Sequence, residues 1–109
     1  MRFAMDAYVF TKKFPKETVY FNIDRQLIKC SSSSAANYHA VCRAKTKPDF
    51  INKLRIVEEE LDESMFWFEY TCNVDEKWHP IVKPLSAECN ELISIVVSSI
   101  KTALGNQYK

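Results

Sequence analysis

The chain has 109 residues, of which 15 are Lys or Arg, 14 are Asp or Glu and one is Gly. Average usage would supply about eight glycines. Their scarcity argues against the tight turns of sandwiches and barrels and against the phosphate loops of P-loop and dinucleotide-binding folds. The 47% hydrophobic content excludes a disordered chain. At this length the composition predicts one all-α domain over residues 1–109.

Before Pro15, apolar residues recur at helical intervals and predict a first helix over about 3–14. A second helix is predicted over about 22–44, with Asn22 as its N-cap. The run Ser31–Ser34 is placed inside this helix, where small side chains let a neighbouring helix approach closely.

The strongest helix start combines Thr46 as N-cap, Pro48 in the first turn and Asp49 three residues after the cap. It predicts a third helix over about 47–73. The apolar seam of this helix has heptad-like spacing, which is typical of packing against neighbouring helices. The seam consists of Phe50, Leu54, Val57, Leu61, Ser64 and Phe68.

A polar connection that contains Trp78 is predicted to precede the fourth helix, placed at about 84–104. That helix carries two adjacent apolar stripes, although a helix of a monomeric bundle needs only one. The second stripe therefore predicts a subunit interface that includes Ile93, Val97 and Ile100. The alternative is one wide stripe buried inside a single bundle.

Charge is unevenly distributed along the chain. Residues 1–55 hold 11 basic and 4 acidic side chains, whereas residues 56–109 hold 4 and 10. If the second and third helices form an antiparallel hairpin with its turn near residues 46–47, the residue numbers of two facing positions sum to about 93. This register predicts that Lys29 lies near Glu63 and Arg25 near Glu69, so that much of the asymmetry is neutralised inside the fold.

Basic residues near the predicted turn between the second and third helices have no facing acid in this register apart from Asp49, which is expected to act in helix capping. They form a candidate nucleic-acid site, because clustered cations bind phosphate backbones. The alternative is a solvated basic surface. The site consists of Arg43, Lys45, Lys47 and Lys53.

Asn37, Glu59 and Glu63 are predicted to form a structural polar network, hydrogen-bonded between helices or across subunits. The carboxylate pair also resembles part of a di-metal bundle site, which needs two Glu-x-x-His motifs from the helices. Glu76-x-x-His79 is one such motif, and it lies in the predicted connection. We therefore expect no metal, no cofactor and no catalytic residues.

No segment approaches the roughly 20 apolar residues of a membrane-spanning helix. Asp6 interrupts the N-terminal apolar stretch that a signal sequence would need. We expect a cytoplasmic protein without a membrane partner. The four cysteines are too widely spaced for a zinc site or redox pair and are expected to be reduced, buried thiols. They are Cys30, Cys42, Cys72 and Cys89.

Several segments together resemble the four-helix-bundle family first described from open reading frames within intervening sequences of 23S ribosomal RNA genes. The resemblance covers nearly the whole chain. The segments are residues 11–17, 26–29, the Ser run, 36–38, 42–45, 49–57, 62–64, Trp67 and 99–103.

The resemblance implies an up-and-down four-helix bundle that assembles into a homopentamer. A relative, the accessory protein of diversity-generating retroelements, is a basic pentamer that binds nucleic acid and partners a reverse transcriptase. Two hypotheses follow. The first is a non-catalytic homo-oligomeric scaffold that binds RNA or a ribonucleoprotein. The second is a purely protein-binding or structural oligomer without nucleic-acid contact, which the net charge of +1 favours.

Overall fold

The computed structural model describes residues 1–105. They form four α-helices and, over this range, no strands: α1 is Phe3–Thr11, α2 is Thr18–Val41, α3 is Lys47–Val74 and α4 is His79–Leu104. A single 3-10 turn, Glu76–Trp78, joins α3 to α4. The prediction of an all-α chain with four helices is confirmed.

The helices pack around one core in the order α1, α2, α3, α4. α3 packs against α2 and α4, and the short α1 fills the fourth corner between α2 and α4. Consequently α1 lies diagonally opposite α3. Ser64 donates a hydrogen bond to Cys30 Sγ at 3.2 Å, which agrees within one position with the predicted antiparallel register of α2 and α3.

The start of α3 follows the predicted signal. Thr46 has extended backbone angles, and its hydroxyl oxygen accepts a hydrogen bond from the backbone N–H of Asp49 at 3.2 Å. The serine run also lies inside α2 as predicted. Ser31 and Ser34 are buried, and the Ser34 hydroxyl donates to the carbonyl of Ser31 at 2.7 Å. A buried hydroxyl is thus satisfied by its own helix.

The predicted bounds near the prolines and at the ends of α1 and α2 are wrong. α1 ends at Thr11 rather than 14, and α2 spans 18–41 rather than 22–44. α4 begins at His79 rather than 84 because Pro80 lies in its first turn, where a backbone N–H has no partner within the helix. Pro84 lies inside this helix.

An aromatic cluster closes the end of the bundle where α2 begins and α3 ends. Trp78, predicted to lie in a polar connection, is instead buried. Its indole N–H donates to the Tyr20 hydroxyl at 3.0 Å. Its ring packs edge-on against Phe10 and Phe14, with centroids 5.7 and 5.3 Å away. Trp78 therefore packs the α3–α4 connection against α1, against α2 and against the segment that joins these two helices.

Candidate nucleic-acid interface

The basic end of the bundle is formed by the α2–α3 turn and the first residues of α3. Arg43, Lys45 and Lys47 are all exposed there. The turn is held by backbone hydrogen bonds from Arg43 N–H to Ala40 O and from Ala44 N–H to Val41 O. The structure thus brings three of the four predicted cations to one end of the molecule, where they face solvent.

Lys53 differs from the other three. Its ammonium group lies 3.3 Å from the Asp49 carboxylate, one helical turn away, and the side chain is half-buried. The expectation that Asp49 is occupied in capping is wrong, because its backbone N–H meets the Thr46 hydroxyl while its carboxylate stays available to Lys53. An exposed i,i+4 pair is weak, so Lys53 contributes less free charge than the turn residues.

Two further cations at this end were missed from the sequence. Arg55 is exposed and shares a depression of about 290 Å³ with Lys47, which lies two helical turns earlier on the same face of α3. Arg55 also shares a depression of about 180 Å³ with Lys101 of α4, and Glu58 lines the same depression. The i,i+8 spacing of Lys47 and Arg55 could have identified the first, whereas Lys101 joins the group only through the fold.

The predicted network of Asn37, Glu59 and Glu63 does not form within one chain. The Asn37 amide donates to the carbonyl of Ser33 at 2.9 Å, on its own helix. Glu59 and Glu63 are exposed on α3, and no side-chain hydrogen bond joins them to another helix among residues 1–105. The interhelical form of the prediction is therefore wrong, and the form across subunits stays a prediction.

The predicted neutralisation between α2 and α3 is limited to the attraction of Lys29 for Glu60 and includes no direct ion pair within the described part of the chain. Over residues 1–105 the ion pairs are Lys53–Asp49 and Lys77–Asp75, both local in sequence. Lys29 and Glu63 do not pair, nor do Arg25 and Glu69. Burial, together with nearby Glu63, raises the pKa of Glu60, and Lys29 only partly opposes this effect. The acidic run of α3 therefore remains a surface feature.

The predicted interface stripe on α4 divides between core and surface. Ile100 is 5% exposed and belongs to the core of its own chain, so its assignment to an interface is wrong. Ile93 and Val97 are half-buried. Ile95, which was not predicted, is the exposed large apolar residue of this segment. A helix between two neighbours in a bundle buries a wide stripe, as the alternative interpretation of α4 anticipated.

The buried thiols are poorly suited to nucleophilic chemistry. Burial raises the pKa of Cys30 to about 11 and that of Cys89 to about 12, whereas a reactive cysteine needs its thiolate near neutral pH. Cys42, expected to be buried, is exposed. Among residues 1–105, no three His, Cys, Asp or Glu side chains come together as a metal site. Within that range, no helix is long and apolar enough to cross a membrane.

Glu88 of α4 is half-buried beside α1. Burial raises its pKa, and the neighbouring Asp6 of α1 adds to the effect, while Arg2 opposes it and Glu91 contributes a smaller increase. The folded chain therefore holds the Glu88 proton more tightly than the unfolded chain. This contribution to stability is present at acidic pH and is lost as the pH rises through the folded-state pKa.

We expect Glu88→Gln to raise the melting temperature at neutral pH, because it removes an ionised carboxylate that faces Asp6. The gain should shrink as the pH falls, since the wild-type side chain then becomes protonated. Thermal unfolding of both proteins across this pH range checks the prediction. Glu91→Gln on the same helix should give a smaller gain, because Glu91 raises the Glu88 pKa less than Asp6 does. An increase in melting temperature that does not depend on pH would contradict the raised pKa of Glu88.

Comparison with known proteins agrees with this fold. A crystal structure of a protein of unknown function from the S23 ribosomal protein family of Bacteroides thetaiotaomicron superimposes with a TM-score of 0.84 and 25% identity. The alignment covers 92% of this chain and 93% of the other. Among curated proteins, none matches significantly. The sequence profile of the 23S rRNA-intervening sequence proteins matches residues 1–98, and the chain belongs to that family.

Proposed function

We propose that this protein is a non-catalytic homo-oligomeric scaffold, with five subunits, that binds RNA or a ribonucleoprotein through the basic end of its bundle. The observation that supports the proposal is the exposed group at that end: Arg43, Lys45 and Lys47, extended by Arg55 and Lys101. Phosphate contacts by such cations supply most non-specific affinity for nucleic acid.

Assembly explains how a chain of net charge +1 can bind a polyanion. A ring of subunits repeats the basic end around its axis, so that weak contacts act together on one strand. The acidic residues of α3 lie along the side of the bundle, whereas Arg43 and Lys45 lie at its tip. The local charge at the basic end is therefore more positive than the net charge of the chain suggests.

We expect weak, largely sequence-independent binding of a single-stranded RNA that falls steeply as salt rises through the physiological range. Lys45→Glu with Lys47→Glu should abolish binding and leave the oligomer mass unchanged, because both side chains are exposed. Fluorescence anisotropy of a labelled RNA measures binding, and light scattering on the same samples measures mass. Absence of binding at low salt by the intact oligomer would overturn the RNA-binding function.

The matched control places the same reversal at the opposite end of the molecule. Lys16→Glu with Lys83→Glu changes the net charge equally, and both residues are exposed at the end of the bundle where α2 and α4 begin. This variant should retain most of the binding. Equal loss in both variants would show that net charge, rather than the basic end, determines affinity.

A purely protein-binding oligomer is the second candidate function, and the acidic surface of α3 favours it. Residues 56–74 contain six acidic and no basic side chains, and a surface of this sign repels phosphate. The assays above separate the two candidates. An oligomer that binds no RNA at low salt would support the protein scaffold.

A further inference from the structure

α1 presents an exposed apolar and basic face. Met5, Tyr8, Val9 and Lys12 have the spacing of one helix face, and Met5 and Val9 are 60% and 53% exposed. The Lys12 ammonium lies 4.7 Å from the centre of the Tyr8 ring. The core-facing side of the helix is formed by other residues, which are fully or nearly fully buried. These four residues, called the α1 face, are therefore not needed to hold α1 on its own bundle.

α3 presents an exposed apolar and acidic face. Ile56, Glu59, Glu63, Phe66 and Tyr70 recur at intervals of three and four and constitute the α3 face. Phe66 is 53% exposed, although large aromatic side chains are normally buried. The rings of Phe66 and Tyr70 lie 6.0 Å apart. Aromatic side chains at this exposure are typical anchors of protein interfaces.

Trp67, beside the α3 face, adds rigidity to it. Its ring packs against Phe66 at 4.9 Å and against Tyr70 at 5.2 Å, both edge-on. Its indole N–H is buried and has no hydrogen-bond acceptor among the described residues. The two exposed rings are therefore supported by a third, half-buried ring, and they form a preorganised surface rather than separate mobile side chains.

The two faces are complementary in charge. Residues 1–16 contain four basic side chains and one acidic side chain, whereas residues 56–74 contain six acidic side chains and no basic one. The exposed Lys12 and Lys13 adjoin the apolar residues of α1, and Glu59 and Glu63 lie among those of α3. Contact between an apolar, basic surface and an apolar, acidic surface is favourable, whereas either surface against itself brings like charges together.

The fold places the apolar residues of the α1 face level with Phe66 and Tyr70 of the α3 face, on opposite sides of the bundle. α1 and α3 are diagonal to each other, and Phe3 and Phe10 of α1 both pack against Phe68 of α3 across the core, with centroids 6.0 Å away. Phe68 is two residues from the exposed Phe66 and Tyr70. The exposed surfaces of α1 and α3 therefore face in opposite directions. Phe66 and Tyr70 lie at about the height of α1 along the bundle axis.

We propose that the α1 face of one copy of this chain docks on the α3 face of the next copy, in a head-to-tail contact. Such a contact uses two different surfaces of each subunit and generates a ring when the rotation closes. The apolar residues of the two faces lie at the same height, whereas Glu59 and Glu63 lie farther from the Trp78 end of the bundle than Lys12 does. The charges therefore complement one another as whole surfaces rather than as direct ion pairs. This inference rests on the proposed oligomer and identifies its interface.

Charge reversal on one face at a time tests the pairing. Lys12→Glu with Lys13→Glu makes the α1 face acidic, and Glu59→Lys with Glu63→Lys makes the α3 face basic. Each variant alone should have the mass of a single chain by light scattering, 12.7 kDa for the wild type, because its two faces now repel. The variant that carries all four reversals in one chain should assemble again, since the acidic α1 face of each copy then meets the basic α3 face of the next.

The control is Lys45→Glu with Lys47→Glu, which reverses the same number of charges at the basic end and should keep the wild-type mass. Circular dichroism establishes that all variants are folded. A monomeric wild type would overturn the oligomer itself. A wild-type oligomer whose mass survives both reversals would overturn only this interface. Single-face variants that dissociate, together with a four-reversal variant that stays monomeric, would also overturn the pairing of α1 with α3.

Discussion

Phe68→Ala is expected to lower the free energy of unfolding by about 3–5 kcal/mol. The ring is fully buried and lies between α3 and α1, with Phe3 edge-on and Phe10 tilted against it. Truncation to Ala removes its burial and leaves a cavity that the surrounding helices fill only partly. The loss is a large fraction of the roughly 5–15 kcal/mol that stabilises a domain of this size.

The effect should concentrate on α1, because this helix has only nine residues and two of its buried rings pack on Phe68. Urea unfolding followed by circular dichroism measures the total loss. Hydrogen exchange should show that the amides of α1 lose protection before those of α3. Since α1 also carries the proposed docking face, detachment of α1 is expected to weaken assembly as well.

Phe21→Ala is the matched control for this truncation. Phe21 is an exposed aromatic residue on α2, so the same chemical change there should alter stability by no more than about 0.5 kcal/mol. Equal losses at both positions would contradict the assignment of Phe68 to the centre of the core.

Helix content and the register of the hairpin follow from local sequence. The α3 seam repeats every seven residues, and five of its six positions are buried. The Thr46 cap is local chemistry and was predictable for the same reason. The prolines were interpreted too strictly as helix breakers. Pro80 is tolerated in the first turn of α4, and Pro84 lies inside the helix, which packs against α3, although proline lacks the backbone donor.

Side-chain pairing was less predictable than helix register. Cys30 and Ser64 face each other close to the expected register, yet Lys29 and Glu63 form no ion pair. The register fixes which backbone positions are neighbours. It does not fix whether a long, exposed side chain prefers a partner to water, and that preference is weak at a surface.

The candidate interface illustrates a second limit. Apolar periodicity distinguished a buried side of each helix, but it could not say whether Ile100 is covered by its own chain or by another copy. In the structure it is covered by its own chain. The apolar residues that recur at helical intervals before Pro15 include Phe3, Ala7 and Phe10, and all three are buried on the inner side of α1. The exposure of Met5 and Val9 on the outer side of α1 could be recognised only from the fold, because no other helix of the described chain covers them.

Trp78→Ala is expected to cost about 3–5 kcal/mol, although the sequence placed this residue in a polar connection. The prediction rested on polar neighbours such as Lys77 and His79. In the structure the Trp78 ring points into the bundle and is 5% exposed. It contacts aromatic side chains from α1, from the α1–α2 connection and from α2. Its removal therefore loosens the end of the bundle at which three segments meet.

Variants of the hydrogen bond from the Trp78 indole to the Tyr20 hydroxyl distinguish the contribution of packing from that of the hydrogen bond. Trp78→Phe keeps an aromatic ring but loses the donor, and Tyr20→Phe removes the acceptor and leaves the buried indole N–H unpaired, which typically costs about 1–3 kcal/mol. In the double variant neither partner is left unsatisfied. We therefore expect its loss of stability in urea unfolding to be smaller than the sum of the two single losses. Strictly additive losses would mean that the 3.0 Å contact contributes nothing and that Trp78 acts through packing alone.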